Sequence, residues 1–108
     1  MSVDVNGLAD AMIGAARGAV GATWENMRVF AVPELRKIAV QIGAIADHLD
    51  EITPETAQAL LRMQINAAAA VIVAMTELVL VEVERAINAI LAAVRDLVNG
   101  AVGFPLVG

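Results

Sequence analysis

Cysteine is absent from the 108 residues, aromatic side chains are limited to Trp24, Phe30 and Phe104, and serine and histidine occur once each, as Ser2 and His48. Each shortage removes a class of chemistry. Without cysteine there is no disulfide, no thiolate metal site and no thiol nucleophile. Ser2 has no histidine placed beside it, so a hydroxyl nucleophile lacks its general base. Basic residues are also scarce: seven Lys and Arg stand against twelve Asp and Glu, for a formal charge of −5. A polyphosphate backbone would be repelled by that balance, and nucleic acid is not an expected partner. The opening residues MSVDVNGLAD lack the basic start and apolar run of a secretory signal. The expected location is the cytoplasm or a particle, with a membrane as the alternative.

What the chain has in excess is small apolar surface. Hydrophobic residues make up 59% and charged residues 18%, against about 45–50% and about 25% in ordinary soluble domains. Alanine (22) and valine (15) supply much of it. Alanine favours helices and close backbone approach but buries little area per residue. A lone bundle built this way is weakly stabilised and gains from further cover.

Leu8, Met12, Ala16, Val20, Trp24 and Met27 recur at spacings of three and four, which predicts a first helix over residues 5–31. Gly7, Gly14, Gly18 and Gly21 weaken it by about 1 kcal/mol each relative to alanine. Gly14 and Gly18 form a GxxxG pair flanked by Ala11, Ala15 and Ala22; such a face permits close helix contact, although small-residue packing of any kind produces the same pattern. Pro33 is expected to end or kink that helix and to open a second, over 33–50. Within it Leu35, Ile38, Ile42, Ile45 and Leu49 form a narrow heptad seam.

The stretch LDEITPET predicts a turn and a new helix, with Thr53 as N-cap, Pro54 in the first helical position and Glu55 in the first turn. From Glu55 to Asn99 there is neither Gly nor Pro, and Gly100 stands where a capping glycine belongs. One uninterrupted helix over 54–99 would be about 69 Å long, far beyond the roughly 35 Å breadth of a compact domain of this size. The expected fold is all-α: a helical hairpin in which two shorter helices pack along one long C-terminal helix, completed by oligomerisation, in a single domain over 1–108. A break near Asn66 or between Arg85 and Asn88 would instead permit a four-helix bundle.

Polar residues of the long segment, Arg62, Asn66, Glu77, Glu84, Asn88, Arg95 and Asn99, fall on one narrow stripe. Two apolar rows flank it. Leu61, Ile65, Ala68, Ile72, Met75 and Val79 form one, and Ala69, Val73, Leu80, Val83, Ile87, Leu91, Val94 and Val98 the other. The tail GAVGFPLVG, residues 100–108, is too glycine-rich for a helix and too apolar for a solvated tail, so Phe104, Leu106 and Val107 are expected to dock on a neighbouring subunit or on the chain's own body.

No cofactor and no metal is expected. His48 lies among Asp47, Asp50 and Glu51, but one imidazole beside scattered carboxylates has no ligand spacing, and a solvated polar turn accounts for it. A carboxylate-bridged di-iron bundle needs Glu-x-x-His, and Ile45 occupies the glutamate's place before His48. The glycines of IGAARGAVGA sit in a helical pattern rather than in a strand-to-helix phosphate loop. Glu77, isolated in the apolar run 67–81, is expected to be a buried polar group, hydrogen-bonded or paired across subunits with a residue such as Arg62 or Arg85 of a neighbour.

Two functions from different classes fit. The first is a non-enzymatic structural subunit that assembles with copies of itself into a ring, tube, filament or shell, through an interface that includes Gly14, Gly18, Ile72, Val73, Leu80, Ile87, Leu91, Phe104 and Leu106. The alternative is a small membrane-inserting or pore-forming, holin-like protein: residues 65–81 are long enough for a short span, though they contain Glu77. An amphipathic coat on a lipid or polymer surface is a variant of the second.

Overall fold

Asp4 starts the first helix. Its carboxylate accepts the Gly7 N–H at 3.1 Å, the side-chain cap that a helix N-terminus needs for its unpaired donors. In the computed structural model, which describes residues 3–75, 80–103 and 106, four α-helices follow: α1 Val5–Val20, α2 Trp24–Asp47, α3 Pro54–Met75 and α4 Leu80–Val102. A 3-10 turn over Gly21–Thr23 joins the first two. The described residues contain no strand.

The break between α1 and α2 falls at Gly21, not at Pro33. Gly21 adopts φ 61°, a left-handed conformation that glycine reaches without a Cβ penalty, and the chain reverses there. Pro33 instead lies inside α2. Its missing N–H deprives the Val29 carbonyl of its helical donor, at a place where both residues are exposed and water can substitute. The start of α3 is as expected: Thr53 Oγ1 accepts the Thr56 N–H at 3.1 Å, with Pro54 and Glu55 in the first turn.

The single helix over 54–99 does not form. The chain instead has two helices, one ending at Met75 and the other beginning at Leu80, so neither Asn66 nor residues 85–88 mark the break. α1 packs against α2 and α4, α2 against α3, and α3 against α4. Helices of about 24–36 Å within a greatest extent of 41 Å have to double back on one another. The result is a closed four-helix bundle with up-down-up-down connections, in place of the hairpin around one long helix. Folding back brings Leu61, Ala68 and Ile72 of one half and Val83, Ile90 and Val94 of the other into a common core, which a straight helix of about 69 Å could not do alone.

Every one of the six spaced residues of the first pattern, Leu8 to Met27, is buried. The α2 seam contributes Leu35, Ile38 and Ile42 to the core, with Ile45 and Leu49 half-buried against it. From α3 come Ala57, Leu61, Ala68 and Ile72; from α4 come Val83, Ala86, Ile90, Val94 and Val98. The closest backbone approach marked by a glycine is at Gly43, where a Cβ would stand 2.6 Å from Val5 Cγ2. At Gly14 and Gly18 an added Cβ would meet nothing within 4 Å, so the GxxxG pair is not a packing contact within the bundle.

The C-terminal boundary also moves. α4 runs through Gly100 to Val102, and Gly103, at φ 82°, is the glycine past the helix end, its N–H donating to the Asn99 carbonyl at 2.9 Å. Leu106 is 2% exposed and belongs to the core. At the same end of the molecule the Val3 N–H donates to Asp47 Oδ1 at 3.3 Å, tying the N-terminus to the close of α2.

Candidate interaction surfaces

Within this frame the residues expected at an interface separate into groups. Ile72 is fully buried and Leu106 nearly so, so both are covered by the chain itself and offer no area to a partner; the expectation is corrected for these two. Ile87 and Leu91 are half-buried against the same core. Val73 is 59% exposed, Gly18 is exposed, and Gly14 is half-buried. Leu80 lies in α4, but its side chain, like Phe104 and Glu77, falls outside the described residues. Of the polar stripe, Arg62, Asn66, Glu84, Asn88 and Arg95 are exposed and Asn99 is half-buried.

Two surfaces stand out. The first is the outer face of α3 and its neighbour α2. Over Pro54–Ala74, α3 is long and apolar enough to cross a membrane, yet only 22% of its most apolar 18-residue stretch is buried in the bundle. Met63 and Val73 lie open on it, and Val29, Phe30 and Val40 lie open on α2. Single exposed apolar residues are ordinary; five on two adjacent helices are less so. Counting outward from the 48–53 turn, Val40 and Met63 lie eight and ten residues away, and Phe30 and Val73 eighteen and twenty. Sequence reasoning identified Val73 from the apolar row but passed over Phe30 and Val40, because their neighbours Glu34, Lys37 and Gln41 give that side of α2 a polar composition.

The second surface is a groove of about 510 Å³ between α1 and α2, lined by Ile13, Gly14 and Val32 together with Arg17, Arg28 and Arg36. Asp10 meets Arg36 at 3.3 Å and Glu25 meets Arg28 at 3.0 Å, both pairs solvent-exposed and individually worth no more than about 1 kcal/mol. Arg17 has no carboxylate within ion-pair distance among the described residues. Gly14 leaves the groove open, since an added Cβ there would have free space.

The 48–53 turn carries the one histidine. Its Nδ1 lies 2.6 Å from the Ala44 carbonyl, and this contact, helped by the Glu51 carboxylate 3.9 Å from Nε2, holds the His48 pKa above its ordinary 6.5. Asp47, Asp50, Glu51 and Glu55 are all exposed around it. Among the described residues no three His, Asp or Glu side chains converge as a metal-binding group. Comparison with family models, curated proteins and solved structures finds no match to this chain.

Proposed function

We propose that this chain is a non-enzymatic structural subunit that associates with copies of itself through the outer face of α3 and the adjoining side of α2. The observation that carries the reading is the mismatch on α3: a helix apolar enough for a core or a lipid phase, with most of its length uncovered. Hydrophobic association is driven by such area. Two helices about 33–36 Å long and about 10 Å across present roughly 700 Å², close to the roughly 800 Å² that each partner of a standard interface buries. On the α2 side of this face Glu34 pairs with Lys37, so covering it does not isolate that charge.

The bundle supports this reading differently from the sequence pattern. Cover is no longer needed along a helix of about 69 Å, and the surface calling for a partner is a flat two-helix face. The mass of the purified protein in the absence of detergent, followed across concentration, tests the proposal. An assembly larger than 11.2 kDa that shrinks in Val73→Asp and Met63→Asp, with helical content retained, supports it. A species of unchanged size in both variants refutes the face.

The length and composition of α3 also favour a second reading, in which lipid rather than a second copy covers it and the chain is a small membrane-inserting protein. Its signature is protein recovered only in the membrane fraction and soluble only in detergent. A monodisperse species in plain buffer that ignores anionic and neutral vesicles removes it.

A further inference from the structure

Exposed charge is unevenly distributed along the bundle. At one end, around the α2–α3 turn, Asp47, Asp50, Glu51 and Glu55 are exposed; among the described residues none of them pairs with a lysine or arginine, and the His48 imidazole lies 3.9 Å from Glu51. Toward the other end lies the groove edged by Arg17, Arg28 and Arg36, in which two guanidiniums are taken by Asp10 and Glu25 and Arg17 is left without a carboxylate.

These two features cannot serve each other within one chain. The N-terminus of α1 sits beside Asp47, and Arg17 lies twelve residues further along α1, about 18 Å away by helical rise. Arg28 lies nineteen residues before Asp47 on α2, about 28 Å away. Both separations exceed the Debye length of about 8 Å at physiological salt. A second copy is the occupant whose charge matches: its turn exposes four carboxylates that have no lysine or arginine partner among the described residues, and the groove sets apolar Ile13 and Val32 and an open Gly14 beside the guanidiniums.

We propose that the α1–α2 groove of one copy receives the acidic α2–α3 turn of the next, with Arg17 as the groove's free cation and Asp50 and Glu51 as its partners. The contact presupposes the self-association proposed above and assigns it a direction. Because the two patches differ, the contact is heterologous, and repeating it builds a head-to-tail series that stays open unless its rotation happens to close. The α3 face, by contrast, can pair with itself. Together the two contacts would generate a branched or filamentous array from one small subunit.

Two neutralising variants of the full chain separate these contacts. Arg17→Gln impairs the groove and leaves the turn intact; Asp50→Asn with Glu51→Gln impairs the turn and leaves the groove intact. All three positions are exposed, and circular dichroism checks that each variant folds. Sedimentation velocity is measured on the wild type, each variant and their equimolar mixture, at about 0.05 and about 0.5 M NaCl, where surface attraction is respectively strong and screened. The expected result is association of the wild type that weakens at high salt, a loss of about tenfold in that salt-sensitive step for each variant alone, and its return in the mixture as one capped pair rather than a growing series. Wild-type association that is indifferent to salt and to both substitutions overturns the head-to-tail contact while leaving the α3 face in place. A mass of 11.2 kDa at every concentration and salt overturns both.

Discussion

Alanine placed at three helical glycines tests the packing with opposite signs. At Gly14 and Gly18 an added Cβ has nothing within 4 Å, and alanine in a helix interior is favoured over glycine by about 1 kcal/mol. Gly14→Ala and Gly18→Ala are therefore each expected to stabilise the bundle by up to about 1 kcal/mol, or roughly 4–8 °C in melting temperature for a domain of this size. Gly43 is buried, and its new Cβ would stand 2.6 Å from Val5 Cγ2. Valine has little rotamer freedom on a helix, so α1 and α2 have to separate; overpacking of this kind costs about 1–3 kcal/mol. Set against the same gain of about 1 kcal/mol in propensity, Gly43→Ala should be neutral to destabilising by about 2 kcal/mol. Val5→Ala removes the offending methyl, and the double variant should recover most of the loss. The assay is thermal unfolding followed by circular dichroism on dilute protein, with the double-mutant cycle read from the midpoints. Melting temperatures that fall in Gly14→Ala or Gly18→Ala as far as in Gly43→Ala would refute the assignment of open space to the GxxxG face and of close approach to Gly43.

Three further outcomes follow from local contacts. Thr53→Ala removes the acceptor for the Thr56 N–H and should lower stability by about 1 kcal/mol, with Thr53→Ser close to wild type in the same melt. Deleting residues 104–108 strips Leu106 from the core, where burying a leucine is worth about 1.5–3 kcal/mol. The midpoint should drop by about 10 °C, whereas an unchanged midpoint with reduced assembly would put the tail on a neighbour. His48, held above 6.5 in the folded chain chiefly by the Ala44 carbonyl and then by Glu51, contributes stability that is fully present below about pH 6.5 and is lost as pH rises through the folded value. A proton NMR titration should place its midpoint above 6.5, and His48→Gln should remove the small fall in melting temperature across that window.

The periodicity of α1 and the seam of α2 were legible because each stripe is interrupted by charge: Asp10 and Arg17 fall between Leu8, Met12, Ala16 and Val20, and Arg36, Lys37 and Gln41 fall between Leu35, Ile38 and Ile42. The start of α3 was legible because Thr53 and Pro54 have the chemistry of a helix opening. The division of 54–99 was not. A chain without glycine or proline gives no local signal for a break, and the division into α3 and α4 depends on what the two halves bury when they pack in one bundle. The same holds for Pro33, whose cost to α2 depends on exposure and not on its identity alone.

Sequence by itself determined the helical class, the acidic balance and the inward face of α1 and α2, because these depend on composition and on spacing along the chain. Tertiary structure decided the number of helices and which glycine is a contact. It also enclosed Ile72 and Leu106 in the core, left the outer side of α3 bare, and set Arg17 at one end of the bundle with the carboxylates of the α2–α3 turn at the other. The physical reason is that burial and screening depend on distances between residues far apart in the chain. No spacing pattern encodes these until the helices have folded back on one another.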